Sequence, residues 1–288
     1  MTQDTVCETN NIFSAQDAPP LKKYGIEKIS RASLKYAAGL WFSVAILGQL
    51  LFVYYILGFY VLSAMKGNLA AWSDVLPHGY IKGDSAGNFA IITHIFLAAS
   101  ITLAGILQMI PQIRSRAPGF HRWNGRIYLS SLVIAATTGL YMVWFRNSVG
   151  DFTQHLGVSL NAVLILACAS MALRHALARQ FAQHRRWALR LFLLANGVWF
   201  FRIGLMLWIG INHGPAGFNP KTFEGPFLSF MSFANSLIPL IACELYLRAQ
   251  DSKNKAVHFS MAGALMVLSA ASGMGIFIAF MGMWLPHL

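Results

Sequence analysis

The chain has 288 residues, 56% hydrophobic and only 11% charged, with a mean hydropathy of +0.54. Such a composition excludes a water-soluble domain of this size and points to a bilayer. The net charge of +12 resides largely in short connecting segments, where membrane topology already calls for Lys and Arg, so nucleic acid is excluded as a partner and anionic lipid headgroups are the expected one.

In chain order, residues 1–35 form a polar tail whose opening, "MTQDTVCETNNIFSAQDAPPLKKY", has no apolar core and reads as a cytoplasmic tail, not a cleaved secretory signal. An apolar run at 36–64, long enough to tilt, supplies a first crossing and the insertion signal; with its outer loop it makes a unit over 36–87. Runs at 88–110, 126–145, 156–178 and 187–211 form a four-helix core, 88–211. Runs at 227–248 and 259–284 complete a C-terminal unit, 212–288. The expectation is an all-α polytopic helical bundle of about seven transmembrane helices.

Basic residues alternate between connections. Lys22, Lys23, Lys28, Arg31 and Lys35 precede the first crossing, Arg114 to Arg126 follow the second, Arg174 to Arg190 follow the fourth, and Arg248, Lys253 and Lys255 follow the sixth. Acids such as Asp74, Asp84, Asp151 and Glu224 lie in the other loops, so the N-terminus is expected inside the bacterial inner membrane and the C-terminus outside.

Cys7, Cys168 and Cys243 are scattered with no CxxC spacing, which excludes a cysteine zinc site and covalent haem attachment; the last two read as packing residues. No glycine-rich phosphate loop, serine elbow or HExxH pattern is present.

The informative feature is a repeat. "HRWNGRIYL" begins at His121, and "HRRWALRLF" begins 63 residues later at His184. His94 precedes the first phrase and His155 the second, each at the expected opening of a helix, so the core reads as two parallel helical hairpins. His94 and His155 are then expected near the outer level, and His121 and His184 at the inner level on neighbouring helices.

From about Thr93 to Glu244 the chain resembles the bacterial predicted membrane proteins of domain-of-unknown-function family 2306. The resemblance is carried by His94, "HRWNGRIY" from His121 to Tyr128, "HRRW" from His184 to Trp187, and Arg202. In layout it is also similar to the ascorbate-reducible cytochrome b family, in which histidines of four central helices hold two haems. That likeness implies haem b bound by His94 with His155 and by His121 with His184, and a quinone or another small redox partner. Arg122, Arg126, Arg185, Arg186 and Arg190 are positioned to meet propionates on the inner side. Two functions therefore stand open: a b-type haem electron-transfer protein, or a non-redox small-molecule or lipid-binding protein or transporter in which the repeated phrases are interfacial anchors.

Arg202 lies inside an apolar run with no acid at its depth, so it is expected to face a polar site and hold an anion or carbonyl, together with His94. Glu244, one turn before Arg248, reads first as an ion-pair partner of Arg190 or Arg126 and second as a proton relay. Asn161, Asn196 and Asn235 read as interhelical hydrogen-bonding groups. His78, His213 and His287 belong to outer segments, while His175 and His258 read as surface histidines. The segment "NHGPAGFNPKTFEGP" is expected to cap an outer cavity.

Overall fold

A computed structural model describes residues 21–76, 79–146 and 150–288, and among these the chain is helical, with one isolated bridge between Asn219 and Glu224. The polar opening before residue 21, Cys7 and His78 lie outside the described residues. The helices are α1 (Leu21–Tyr55), α2 (Leu62–Met65), α3 (Ser85–Met109), α4 (Pro111–Arg116), α5 (Pro118–Arg146), α6 (Phe152–Leu177), α7 (Phe181–Ala195), α8 (Gly197–Asn212), α9 (Pro226–Asp251) and α10 (Lys255–Ala279). Two π-helical turns interrupt this pattern, Ile56–Val61 between α1 and α2 and Phe280–Trp284 after α10.

Among the described residues six helical segments are long and apolar enough to cross a membrane. The seventh expected crossing is not one rod: α7 and α8 qualify only together, and they meet at 51°. The break has a local cause. Asn196 turns its side-chain amide back to donate to the Phe192 carbonyl at 2.7 Å, its own N–H closes a tight turn on Leu193 O at 3.2 Å, and Gly197 follows. Asparagine and glycine are both poor helix formers, so the turn costs little to open here.

Helix starts follow the expected capping chemistry. Asp84 accepts from the Gly87 N–H, Asp151 from the Gln154 N–H and Asn254 from the Ala256 N–H, at 2.8, 2.8 and 2.9 Å. The basic segments collect at one end of the bundle, called the basic end below.

Packing divides the bundle into two neighbourhoods. α5 packs against both α3 and α6, and α6 packs against α7 and α9. A core of Ile101, Leu132, Ile165, Leu191 and Leu194 unites α3, α5, α6 and α7. α1 lies along α10, which also packs on α8, and here the core is aromatic: Phe52, Tyr55, Phe59, Tyr60, Trp72, Trp199 and Trp284 are all buried. The two π turns face each other in this cluster, with Tyr55 and Trp284 ring centres 6.2 Å apart and Phe59 and His287 5.4 Å apart.

Candidate functional site

The repeated phrase builds the same ledge twice. In each copy a tryptophan and an arginine three residues later share a helix face, so Arg126 stacks over Trp123 at 4.9 Å and Arg190 over Trp187 at 4.7 Å. His121 and His184 lie in the first turns of α5 and α7, at the basic end, and the field of His184 reaches His121. Their surroundings differ. The Nδ1 of His184 is 2.9 Å from the Ala172 carbonyl, which can only accept, so Nδ1 carries a proton and donates it there. The Nδ1 of His121 is buried without a partner, while its backbone carbonyl accepts from Gln108 at 2.9 Å.

The arginines of the two phrases are not equivalent either. Arg190 binds Glu244 through two hydrogen bonds, 2.5 and 3.0 Å, which makes the expected ion pair of Glu244 a bidentate clamp between α7 and α9. Arg186 pairs with Asp251 at 2.9 Å. Arg122 and Arg126 are exposed, and Arg185 lines a cavity between helix ends. Two of the five arginines assigned to propionates are therefore already neutralised by carboxylates.

The outer histidines do not pair. His94 does not open its helix: α3 starts at Ser85, which puts His94 about 13 Å further along the axis. Its Nδ1 lies 3.3 Å from Thr138 Oγ1, whose own hydrogen goes to Ile134 O at 2.8 Å, and its Cε1 approaches Gly139. His155 is buried in the first turn of α6, edge-on to Trp144 at 5.5 Å. At about 100° per residue, positions 138–139 and 144 lie roughly 120–140° apart around α5, on different faces. The helix expected to be their neighbour stands between the two histidines, so they do not form a ligand pair.

Arg202 sits elsewhere again. On α8 it turns toward α1 and the second π turn, with its guanidinium 5.6 Å from the Phe52 ring and Nη1 3.8 Å from Met283 Sδ. The expected pairing with His94 is absent, because His94 faces α5 while its neighbours Ile91 and Ile95 face the aromatic cluster. No carboxylate among the described residues lies within ion-pair distance of Arg202. Its Nε is buried without a hydrogen-bond acceptor, and so are the indole N–H groups of Trp72, Trp199 and Trp284. Gln49 Oε1 is a buried acceptor without a donor in the same cluster. The region thus holds more donors than acceptors, in a place where an unpaired polar group costs about 1–3 kcal/mol.

A further arginine, buried, lies at a helix end. Arg146, at the end of α5, is buried and pairs with Asp84 at 3.0 Å, donating also to Gly87 O at 2.8 Å. A Cβ at position 87 would lie 2.1 Å from Asp84 Oδ2 and 2.4 Å from Arg146 Nε, so any larger residue there would have to displace the ion pair. Its sequence signal is an arginine ending an apolar run on the acid-rich side. Asn161 and Asn235 both approach Gly197, where a Cβ would lie 2.9 Å from Asn161 Nδ2 and 3.4 Å from Asn235 Oδ1. The interhelical hydrogen bonds expected of the three asparagines are not what they make: Asn196 donates to Phe192 O within its own helix, Asn235 Oδ1 accepts from its neighbour Ser236, and Asn161 Oδ1 is buried without a donor. His258 is a correction, being 1% exposed and bound on both ring nitrogens, to Ser30 Oγ at 3.1 Å and Ser252 O at 3.0 Å. The turn-rich loop folds back on the bundle end, where Phe223 O accepts from Gln154 and Trp208 stacks on Phe227 at 4.5 Å.

Residues 91–220 match the model of a family described as predicted membrane protein, DUF2306. The match contains all four histidines and Arg202, and leaves out α1, α9, α10 and Glu244. No curated protein and no solved structure gives a significant match.

Proposed function

We propose that this member of the DUF2306 family of predicted membrane proteins is a multi-pass protein of the bacterial inner membrane, with its N-terminus in the cytoplasm, that binds an amphiphilic small molecule inside the bilayer through Arg202. The observation that carries the reading is the surplus of buried donors around an arginine without a carboxylate. An intramembrane cation is retained at a cost of several kcal/mol unless something compensates it. A carbonyl or carboxylate head would accept from Arg202, and the aromatic cluster of Phe52, Tyr55 and Trp284 suits the apolar body of a quinone-like or lipid-like molecule. The break between α7 and α8 is also a device by which transporters open a helix beside a site.

The test is extraction. Organic extracts of the purified wild type should contain an amphiphile that is missing from Arg202→Leu, while the variant still inserts and unfolds at nearly the same temperature. A variant that retains the same extract, or a wild type that carries nothing beyond detergent and bulk lipid, would end this reading.

One observation favours a second reading, haem b with electron transfer to a quinone or small acceptor. A metal-binding imidazole is usually oriented by a hydrogen bond from its other nitrogen, and the His184 to Ala172 bond has that form. His121 and His184 would hold the group, with Arg122 and Arg126 available to its propionates; Arg186 and Arg190 are already paired with carboxylates, and His94 and His155 face different neighbours. Bound haem would supply one-electron chemistry, and these residues would hold and orient it. A reducible Soret band in protein from haem-replete cells supports this reading, and a colourless folded sample removes it.

A further inference from the structure

At the basic end, four helices that are distant in sequence leave a cavity of about 440 Å³. α1 contributes Arg31 and Lys35, α7 contributes Arg185, α9 contributes Tyr246 and Gln250, and the buried ring of His258 from α10 closes it from below. Among the described residues no carboxylate lines it. Of the acids nearby, Asp251 holds Arg186, while Glu27 meets the cavity's own Arg31 at 3.3 Å across one exposed helical turn, a contact worth little in water. Three cations therefore face a space of small-ligand size.

Its polar wall is arranged to donate. Gln250 Nε2 gives a hydrogen bond to the Tyr246 oxygen at 2.7 Å, so the tyrosine's own proton is free for another acceptor. His258 spends both nitrogens on Ser30 and Ser252 and serves as a fixed floor. The residues come from the first turns of α7 and α10, the last turns of α9 and the part of α1 that precedes its apolar run, so the cavity lies where headgroups would begin.

We propose that this cavity is a binding site for an anionic phosphate group. Two guanidinium forks and an ammonium match a tetrahedral oxyanion in charge and in donor geometry, and a tyrosine hydroxyl can complete the set. The group can arrive on an anionic phospholipid or on a soluble phosphate compound, since basic pockets between helix ends serve either chemistry. This site is separate from Arg202, and either can stand without the other.

The experiment measures the rise in Tm of the purified full chain in neutral detergent on titration with phosphatidylglycerol, phosphatidylcholine or inorganic phosphate at matched ionic strength. The variants are Arg31→Gln/Lys35→Gln/Arg185→Gln and a control of equal charge, Arg116→Gln/Arg174→Gln/Lys253→Gln, which lines no part of the cavity. Saturable stabilisation by phosphatidylglycerol but not phosphatidylcholine is expected, weakened roughly fivefold for each pocket cation removed and by less than about twofold in the control. Saturation by inorganic phosphate as well identifies a soluble source, and its absence identifies a lipid headgroup; both uphold the site. Equal losses in the two triple variants, or no saturable response to either anion, overturn it. If the pocket triple does not fold, Arg185→Gln against Arg174→Gln decides on the same criterion.

Discussion

The hairpin of α3 and α5 and the hairpin of α6 and α7 carry the same phrase and use it differently. Both stack an arginine on a tryptophan one turn before it. In the first, Arg126 is exposed, and α5 runs unbroken through 29 residues. In the second, Arg190 is clamped by Glu244, His184 is tied to Ala172, and the helix breaks after 15 residues at Asn196. The lesson is that the phrase specifies an interfacial ledge, while the partners each copy meets, Glu244 from outside the repeat and Ala172 from within it, decide whether that ledge is locked or open. Glu244 belongs to α9, outside both hairpins, and it locks only one copy.

The largest effect that would sharpen this contrast is expected at the clamp. Glu244→Ala leaves Arg190, whose side chain is 15% exposed, without its acceptors, and should cost about 2 kcal/mol, a discounted value because the Glu244 side chain is 38% exposed. Arg126→Ala removes only an exposed stack and should cost less than about 1 kcal/mol. Chemical unfolding in detergent compares them, and equal losses would erase the distinction between the locked and open copies.

Next comes the break. Gly197→Ala puts a Cβ against Asn161 and Asn235 and should destabilise by about 1–2 kcal/mol, the crowding outweighing the better helix propensity. Counting from the two stacked arginines, the matching position in α5 is Val133, 45% exposed, where Val133→Gly should cost only about 0.5 kcal/mol. A Gly197→Ala protein of unchanged or raised Tm would mean that the close approach of α6 and α9 does not constrain the bend.

The smallest effect is at the histidines. His184→Ala loses one hydrogen bond and should cost about 1 kcal/mol, His121→Ala less, and the double variant about the sum, if the two rings act as separate anchors. Losses that fail to add, together with a spectral change shared by all three variants, would instead tie both rings to one cofactor.

Much of the fold was legible because membrane crossing needs only long apolar runs, and these are visible without any tertiary information. The repeat and the Glu244 to Arg190 pair were legible as well, the latter because a carboxylate in an apolar run demands a cation at its own depth. What escaped depended on contacts. Asn196 and Gly197 lie in a run as apolar as its neighbours, and only the pull of the Phe192 carbonyl and the approach of Asn161 turn them into a bend. The entry point of α3 was misplaced by several residues because its first turns, "SAGN", are polar yet helical under the Asp84 cap. His258 seemed a surface residue because neither Ser30, 228 positions away, nor the Ser252 carbonyl announces itself as its partner.

The paired π turns have a consequence for how this chain can vary. A π turn is an α-helical turn holding one residue more than usual, and that residue rotates everything beyond it by about 100° about the axis. Ile56–Val61 and Phe280–Trp284 each introduce such a rotation where α1 and α10 run side by side, and the rings that meet there, Tyr55 on Trp284 and Phe59 on His287, are positioned by it. Deleting a single residue from either turn would rotate the rest of that helix against the part before it and break the register of the facing rings. This stretch should therefore tolerate substitution of one aromatic by another far better than a change of length, and length is the trait to follow when variants of this chain are compared.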